Sequence, residues 1–254
     1  MAKKAKITVV GLGPGSLLDM TPRARAAIEA AEVVAGYTTY IRLMEPLLSN
    51  KEIIGTGMMH EIDRCRMAVA AAASGKETVV VSSGDAGVYG MAGLVLELIL
   101  QQKEEERPLF GGTIAGVSAV NAAASVLGAP LMHDFAVISL SDLLTPWELI
   151  RKRAKMAAAG DFVVALYNPK SRKRVHHIEE IREILLQYRR TETPVGIVTA
   201  ASREQEHKII STLADFTKEE INMFSLVIIG NSQTYVKEGW MITPRGYGRK
   251  EAGL

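Results

Sequence analysis

The stretch Val79-Val80-Val81-Ser82-Ser83-Gly84-Asp85-Ala86-Gly87-Val88-Tyr89-Gly90 decides how this chain is read. A β-branched apolar run stops at a small-residue turn holding one carboxylate, and a helical pattern follows from Met91 to Leu100. A strand with one wet face alternates apolar and polar residues. The run from Thr78 to Ser82 does not, so it reads as a parallel strand buried on both faces. In open α/β sheets, ligands sit in the crevice beyond the carboxyl ends of such strands. Gly84, Gly87 and Gly90 clear side chains from the turn and let backbone approach a bound molecule. The same glycines also suit a tight strand-to-helix connection with no ligand, and the stretch alone leaves both readings open.

A second turn of this kind lies upstream. Lys6 to Val10 reads as a short strand opening into Gly11-Leu12-Gly13-Pro14-Gly15-Ser16, and a helix follows through Ala31. Thr21 is its N-cap and Pro22 takes the favoured first position. The turn fails as a dinucleotide fingerprint, because Ser16 stands where a third glycine is needed. Pro14 also lacks the backbone donor that a phosphate cradle uses. What remains is either one wall of a cleft or a rigid connection. Beyond it, Glu32 to Ala35 reads as a strand, Gly36 to Tyr40 as its turn, Thr56 to His60 as a loop, and Glu61 to Ser74 as a helix.

Thr113 to Gly116 is a further strand, and Val117 to Leu127 a helix of mostly small residues that permits close approach of a neighbouring element or a flat ligand. Pro108 to Met132 carries no charge, but its glycines, Ser118, Asn121, Ser125 and Pro130 break it into strand, turn and helix, not a membrane span. Pro130 to Asp134 leads into a strand from Ala136 to Leu140. His133 and Asp134 are sequence neighbours, so in extended backbone their side chains point apart.

The second half continues with a helix from Pro146 to Ala159 and a strand from Asp161 to Tyr167 that ends at Asn168-Pro169. The basic run Lys170-Ser171-Arg172-Lys173-Arg174 precedes a helix from Val175 to Tyr188. Such a run is usually a solvated face, yet here it follows a strand end, where an anion-facing role is also consistent. Pro194 to Thr199 is a strand ending in Ala200-Ala201-Ser202, His207 to Leu213 another, Lys218 to Asn222 a helical turn, and Ser225 to Ile229 a last strand.

Composition narrows the function classes. The 254 residues suffice for two domains of ordinary size. A net charge of +2 argues against a molecule-wide nucleic-acid surface, so no nucleic-acid partner is expected. Cys65 is the single cysteine, which excludes an intrachain disulfide and a cysteine-rich metal site. His60 has no second histidine or cysteine at ligand spacing, and no metal site is expected. With Ile7 to Val10 too short for a signal-peptide core, a cytoplasmic enzyme without a membrane partner is the expectation. The fold class is α/β, with two α/β domains (residues 1–116 and 117–254) and a ligand cleft between them. Clefts between domains are where small-molecule sites form most readily.

Five signals fall in one order along the chain: the Gly-x-Gly-Pro-Gly turn, Ser82 to Gly90, Gly116-Val117-Ser118 with its alanine-rich helix, Pro130-Leu131-Met132-His133-Asp134, and Ala165-Leu166-Tyr167-Asn168-Pro169. Together they resemble the tetrapyrrole methylase family. The run from Tyr167 to Arg172, with Val198 to Arg203, is most similar to the branch of that family that methylates C17 of a precorrin in cobalamin synthesis. The resemblance implies a homodimer, a tetrapyrrole (precorrin) substrate, S-adenosylmethionine as cofactor, and a link between methylation and contraction of the macrocycle. It also implies cofactor contacts from Pro14, Ser83, Gly84, Asp85, Val88, Ser118, Ala119, Asn168 and Ala201. Ala86 replaces a proline of many relatives, and Ala201 stands near a glycine of others.

A sulfonium methyl is already electrophilic, so the protein's main task is to align it with an electron-rich ring carbon. Such positioning contributes on the order of 7–11 kcal/mol. Asp85 and His133 are the candidate bases for proton removal. Gly13 and Pro14, with Lys170, Arg172, Lys173 and Arg174, are the candidate substrate contacts, the cations facing the carboxylate rim of the macrocycle. The competing readings are the same fold acting on another precorrin position or a non-tetrapyrrole acceptor, a nucleotide-dependent oxidoreductase, and a non-catalytic binding module.

Overall fold

The structure, a computed structural model, describes residues 5–171 and 173–247. The chain divides into two compact units, Met1–Ala119 and Val120–Leu254.

The first unit runs β1 (Lys6–Gly11), α1 (Pro22–Ala30), β2 (Val33–Tyr37), α2 (Thr38–Arg42), β3 (Glu52–Thr56), α3 (Glu61–Ala73), β4 (Thr78–Ser82), α4 (Ala92–Leu100) and β5 (Leu109–Ile114). Its five strands form one sheet in the order β3-β2-β4-β1-β5, parallel throughout. Every residue of β4 is buried, as the uninterrupted apolar run predicts. Alternate side chains of the central strands serve opposite faces. Val9 and Val80 pack with Cys65, Val69 and Val95, under α3 and α4. Val10, Val79 and Val81 pack with Ala24, Ile28 and Met44, on the side of α1. Thr21 caps α1 as expected, its hydroxyl accepting from the Ala24 N–H at 3.1 Å with Pro22 next in the chain.

Two departures from the sequence reading have clear causes. Gly36 and Tyr37 continue β2 instead of turning, and a short helix follows. A Cβ on Gly36 would come within 2.5 Å of Val81 and 3.2 Å of Ile41, so its absence lets α2 lie against the sheet. Sequence periodicity also misses β3. It is an edge strand with mostly exposed residues, and only its ladder with β2 makes it a strand.

The second unit follows α5 (Ala119–Leu127), which starts two residues later than predicted, with β6 (Gly128–Ala129), β7 (Phe135–Ser139), α6 (Trp147–Ala159), β8 (Val163–Tyr167), α7 (His177–Leu186), β9 (Pro194–Thr199), β10 (His207–Thr212), β11 (Ser225–Ile229), β12 (Tyr235–Lys237) and β13 (Trp240–Ile242). The main sheet has the order β10-β9-β11-β8-β7, and only its β7–β8 ladder is parallel. A small sheet, β12-β13-β6, completes the unit. The helical turn expected over Lys218 to Asn222 is instead a single 3-10 turn at Phe216–Lys218. Leu166, Ile178, Ile181, Leu185, Ile197 and Phe216 are core residues here.

Arg189 ties this core shut. The residue is 8% exposed, and its guanidinium donates to the carbonyl oxygens of Gly230 and Phe162, joining the chain after α7 to the end of β11 and the start of β8. Burial pushes its pKa down to about 10, partly offset by the charge of Asp161. Among the described residues no helix is long and apolar enough to cross a membrane.

Replacing Arg189 with methionine should lower the free energy of unfolding by roughly 1–3 kcal/mol, because two buried carbonyls lose their donors; urea denaturation measures this. Burial lifts the Cys65 thiol to about 11, with Arg64 opposing and Glu61 assisting. A thiol reagent at pH 8 should therefore label the native chain hardly at all and the unfolded chain once, since the thiolate is the nucleophile.

Candidate active site

Three strand ends of the first unit converge backbone to backbone. Beyond β1, the Leu12 N–H donates to the Ser82 carbonyl at 2.8 Å, and Gly13 and Gly84 exchange both of their backbone hydrogen bonds, at 3.0 and 2.7 Å. A Cβ on Gly11 would stand 2.7 Å from the Gly116 nitrogen and 2.8 Å from the Gly84 oxygen. A Cβ on Gly116 would collide with the same Gly84 oxygen and with Gly11. Gly90 packs equally closely on Ala86. Part of the glycine content is thus used by the protein to pack on itself, which resolves the two readings of the turn for Gly11, Gly90 and Gly116.

Asp85 braces this junction. One carboxylate oxygen accepts from the N–H groups of Gly87 (2.8 Å) and Val88 (3.2 Å), and the other from the Gly116 N–H (3.0 Å). Both oxygens therefore hold backbone in place. This geometry makes Asp85 an organiser of the turn, with one oxygen taking two N–H groups and the other a single one. Ser82 contributes from the strand end, its hydroxyl accepting from the Met91 N–H at 3.1 Å. Gly84 is buried but less tightly packed than Gly11 and Gly116. A Cβ on Gly84, at φ +68°, would have Ala119 and Ser118 backbone atoms and the Val117 oxygen as its nearest neighbours, at 3.5–3.9 Å. Gly13, Pro14, Ser83, Gly84, Asp85, Val88, Ser118 and Ala119 are thus brought to one end of the first unit.

Sequence reasoning missed Arg64 at this end. It is 3% exposed, and its guanidinium donates to Thr56 Oγ1 (2.6 Å) and the Gly57 carbonyl (3.5 Å) while lying 3.9 Å from Met91 Sδ. It links the segment after β3 to the end of the Gly84–Gly90 turn. An arginine inside an otherwise unremarkable helix carries no signal of such a task.

In the second unit, Asn168 and Ala201 follow β8 and β9. Asn168 has φ +49°, and Ala200 and Ser202, on either side of Ala201, have φ +53° and +59°. Left-handed backbone costs a non-glycine residue roughly 1–2 kcal/mol and gathers at functional sites. The Asn168 amide donates to Ser139 Oγ at 3.0 Å.

Arg174, expected to face substrate, is instead engaged within the protein. Its guanidinium donates to the Asn168 carbonyl at 3.2 Å and pairs with Asp142 at 3.5 Å, and its side chain is 11% exposed. Asp142 also meets His177 Nε2 at 3.1 Å. Burial would raise the Asp142 pKa, but the His177 hydrogen bond and the charges of His177 and Arg174 outweigh it and hold the carboxyl below its usual range. Asp142 and His177 lie 35 positions apart in sequence, so no spacing motif reveals them. Lys170 and Lys173 share the Asn168 loop, and Arg172 lies outside the described residues.

His133 lies at the other end of the β7–β8 ladder from Asn168. It precedes β7, and the neighbouring Asp134 carbonyl accepts from the Val163 N–H at the start of β8. Asn168 follows the other end of β8, about 17 Å away at roughly 3.3 Å per strand residue. The imidazole Nδ1 accepts from the Asp134 N–H at 2.9 Å.

The family model for tetrapyrrole (corrin/porphyrin) methylases matches residues 6–217. The chain belongs to the tetrapyrrole methylase family. It is 51% identical over 248 residues to the cobalt-factor III methyltransferase of Priestia megaterium, covering 97% of this chain but only 46% of that protein, so it spans about half the length of that relative. It is 50% identical over 241 residues to the probable cobalt-factor III C(17)-methyltransferase of Salmonella typhimurium, covering 95% of this chain and 99% of that one. The crystal structure of the methyltransferase CobJ superposes with a TM-score of 0.88 at 36% identity, covering 94% of this chain and all of that one.

Tetrapyrrole methylases use S-adenosylmethionine. The first-unit turn fits this group. It places the negative charge of Asp85, which suits a cationic sulfonium, beside small residues at Gly84, Ser118 and Ala119.

Gly116→Ala should lower the unfolding free energy by about 1–3 kcal/mol, because backbone must move to admit the Cβ; urea denaturation checks this. Asp85→Ala should weaken S-adenosylmethionine binding at least tenfold in calorimetry while the melting temperature falls by only a few degrees.

Proposed function

We propose that this chain is an S-adenosylmethionine-dependent methyltransferase acting at C17 of a precorrin-type tetrapyrrole, in cobalamin synthesis. The observation that carries the reading is the glycine junction braced by Asp85, in a chain half identical over nearly its whole length to a C(17)-methyltransferase.

When bound, the cofactor supplies an electrophilic methyl carbon. The chain's own work is to hold that carbon and the ring carbon in line, which accounts for a site built from rigid backbone. The Asp85 hydrogen bonds fix Gly87, Val88 and Gly116 before any ligand arrives, so little ordering is left to do on binding. In the second unit, Arg174 and Ser139 hold the left-handed turn at Asn168 in one conformation. Lys170 and Lys173, on the same loop, suit the carboxylate rim of the macrocycle. The methylated ring must then lose a proton or rearrange, and Asp85 and His133 are the candidate acceptors of that proton. The proposal includes a homodimer in the cytoplasm, as the family resemblance implies.

Calorimetry should show binding of S-adenosylmethionine and none of NADH. Incubation with methyl-labelled cofactor and a trimethylated precorrin, metal-free in one arm and cobalt-loaded in the other, should place the new methyl at C17 by NMR in at least one arm. Label at another ring position, or none in either arm, would overturn the assignment.

A further inference from the structure

The segment between β7 and α6, Ser141-Asp142-Leu143-Leu144-Thr145-Pro146, combines a fixed base with an apolar tip. Its base is held at several points. The Leu140 N–H donates to the Tyr167 carbonyl at 2.9 Å, and the Ser141 N–H to Ser139 Oγ at 3.2 Å. Asp142 grips Arg174 and His177 from the neighbouring loop and helix. On the far side, the Trp147 ring lies 4.0 Å from the His177 ring, and its indole N–H donates to Glu180 at 2.7 Å.

Between these anchors the tip points away from the protein. Leu143 is 72% exposed and Leu144 98%. Two adjacent leucines in water, on a loop whose base is immobilised, are a surface waiting for an apolar partner. The surroundings say what kind. The tip leaves the carboxyl end of β7, whose Ser139 lies in register with Tyr167 at the end of β8, so it stands beside the Asn168 loop. That loop carries Lys170 and an exposed Lys173. An apolar tip flanked by cations complements a ligand with an apolar flat face and an anionic edge.

We infer that Leu143 and Leu144 form a substrate subsite that seats against the face of a carboxylated macrocycle, with Asp142 as the positioning residue that holds the tip. The inference rests on the proposed function and adds residues to it that no motif identified. Because both leucines are solvated, replacing them leaves the core untouched, and the fold survives the test.

The test uses a uroporphyrin, a flat macrocycle with a carboxylate rim, titrated into the full chain and followed by its absorption. Leu143→Ser and Leu144→Ser should each weaken binding several-fold and the double variant at least tenfold, with S-adenosylmethionine affinity and the melting temperature unchanged. Asp142→Asn should weaken macrocycle binding with both leucines intact, and the separation from cofactor affinity distinguishes positioning from general destabilisation. Wild-type binding with an unaffected double variant overturns the inference alone. The same result with a change in sedimentation mass assigns the leucines to a contact between copies and also overturns it. A wild-type chain that binds neither macrocycle nor cofactor overturns the proposed function, and this subsite with it.

Discussion

The first unit depends on backbone meeting backbone where β1, β4 and β5 end. Gly11, Gly84 and Gly116 approach so closely that a single Cβ at either Gly11 or Gly116 would enter another residue's peptide group. Close approach also creates a polar problem, because peptide groups crowded at strand ends have left their ladders and need new partners. Gly13 and Gly84 satisfy each other, and Asp85 takes the N–H groups of Gly87, Val88 and Gly116. One small-residue contact and one carboxylate thus shape the end of the sheet at which ligands of this architecture gather.

The second unit reaches comparable order by different means. Its turns after β8 and β9 use Asn168, Ala200 and Ser202 in left-handed backbone, where glycine would be cheaper. Side chains and neighbouring peptides enforce these conformations. Ser139 and Arg174 hold Asn168, while Glu206 accepts from the Ser202 N–H at 2.7 Å. Arginine recurs as the bracing residue in both units, with Arg64, Arg174 and Arg189 all donating to backbone carbonyl oxygens. The planar guanidinium suits this work because it presents several donors in fixed directions.

What could be read from the sequence follows from how local each signal is. The β4 strand was legible because burial on both faces leaves an uninterrupted apolar run, and α1 because Thr21-Pro22 is a cap signature confined to two residues. The Gly84–Gly90 turn was legible as a small-residue strand-to-helix turn, but the close packing of its glycines on the protein was not, since that depends on Gly116 and Ala86. Strand β3 escaped because an exposed edge strand has no apolar face to display. The Asp142–His177 contact escaped because it joins distant residues, and the brace at Arg174 because a basic run looks the same whether its charges face solvent or are turned inward. The Asp85 carboxylate was legible as the one charge in its turn, while its work for the backbone appears only with Gly116 in place.

The strand order of the first sheet bears on how the chain is made. β1 is synthesised early, yet its two neighbours, Thr78–Ser82 and Leu109–Ile114, come much later. A nascent chain that has emerged only as far as Ser82 can offer β1 a partner on one side, and its other edge stays open until Ile114 has left the ribosome. Parallel pairings of such long sequence separation form slowly, and an open apolar edge invites intermolecular pairing in the meantime. The first unit's sheet therefore closes only after a long stretch of the chain has been made, and β1 is the strand that waits longest for its second neighbour.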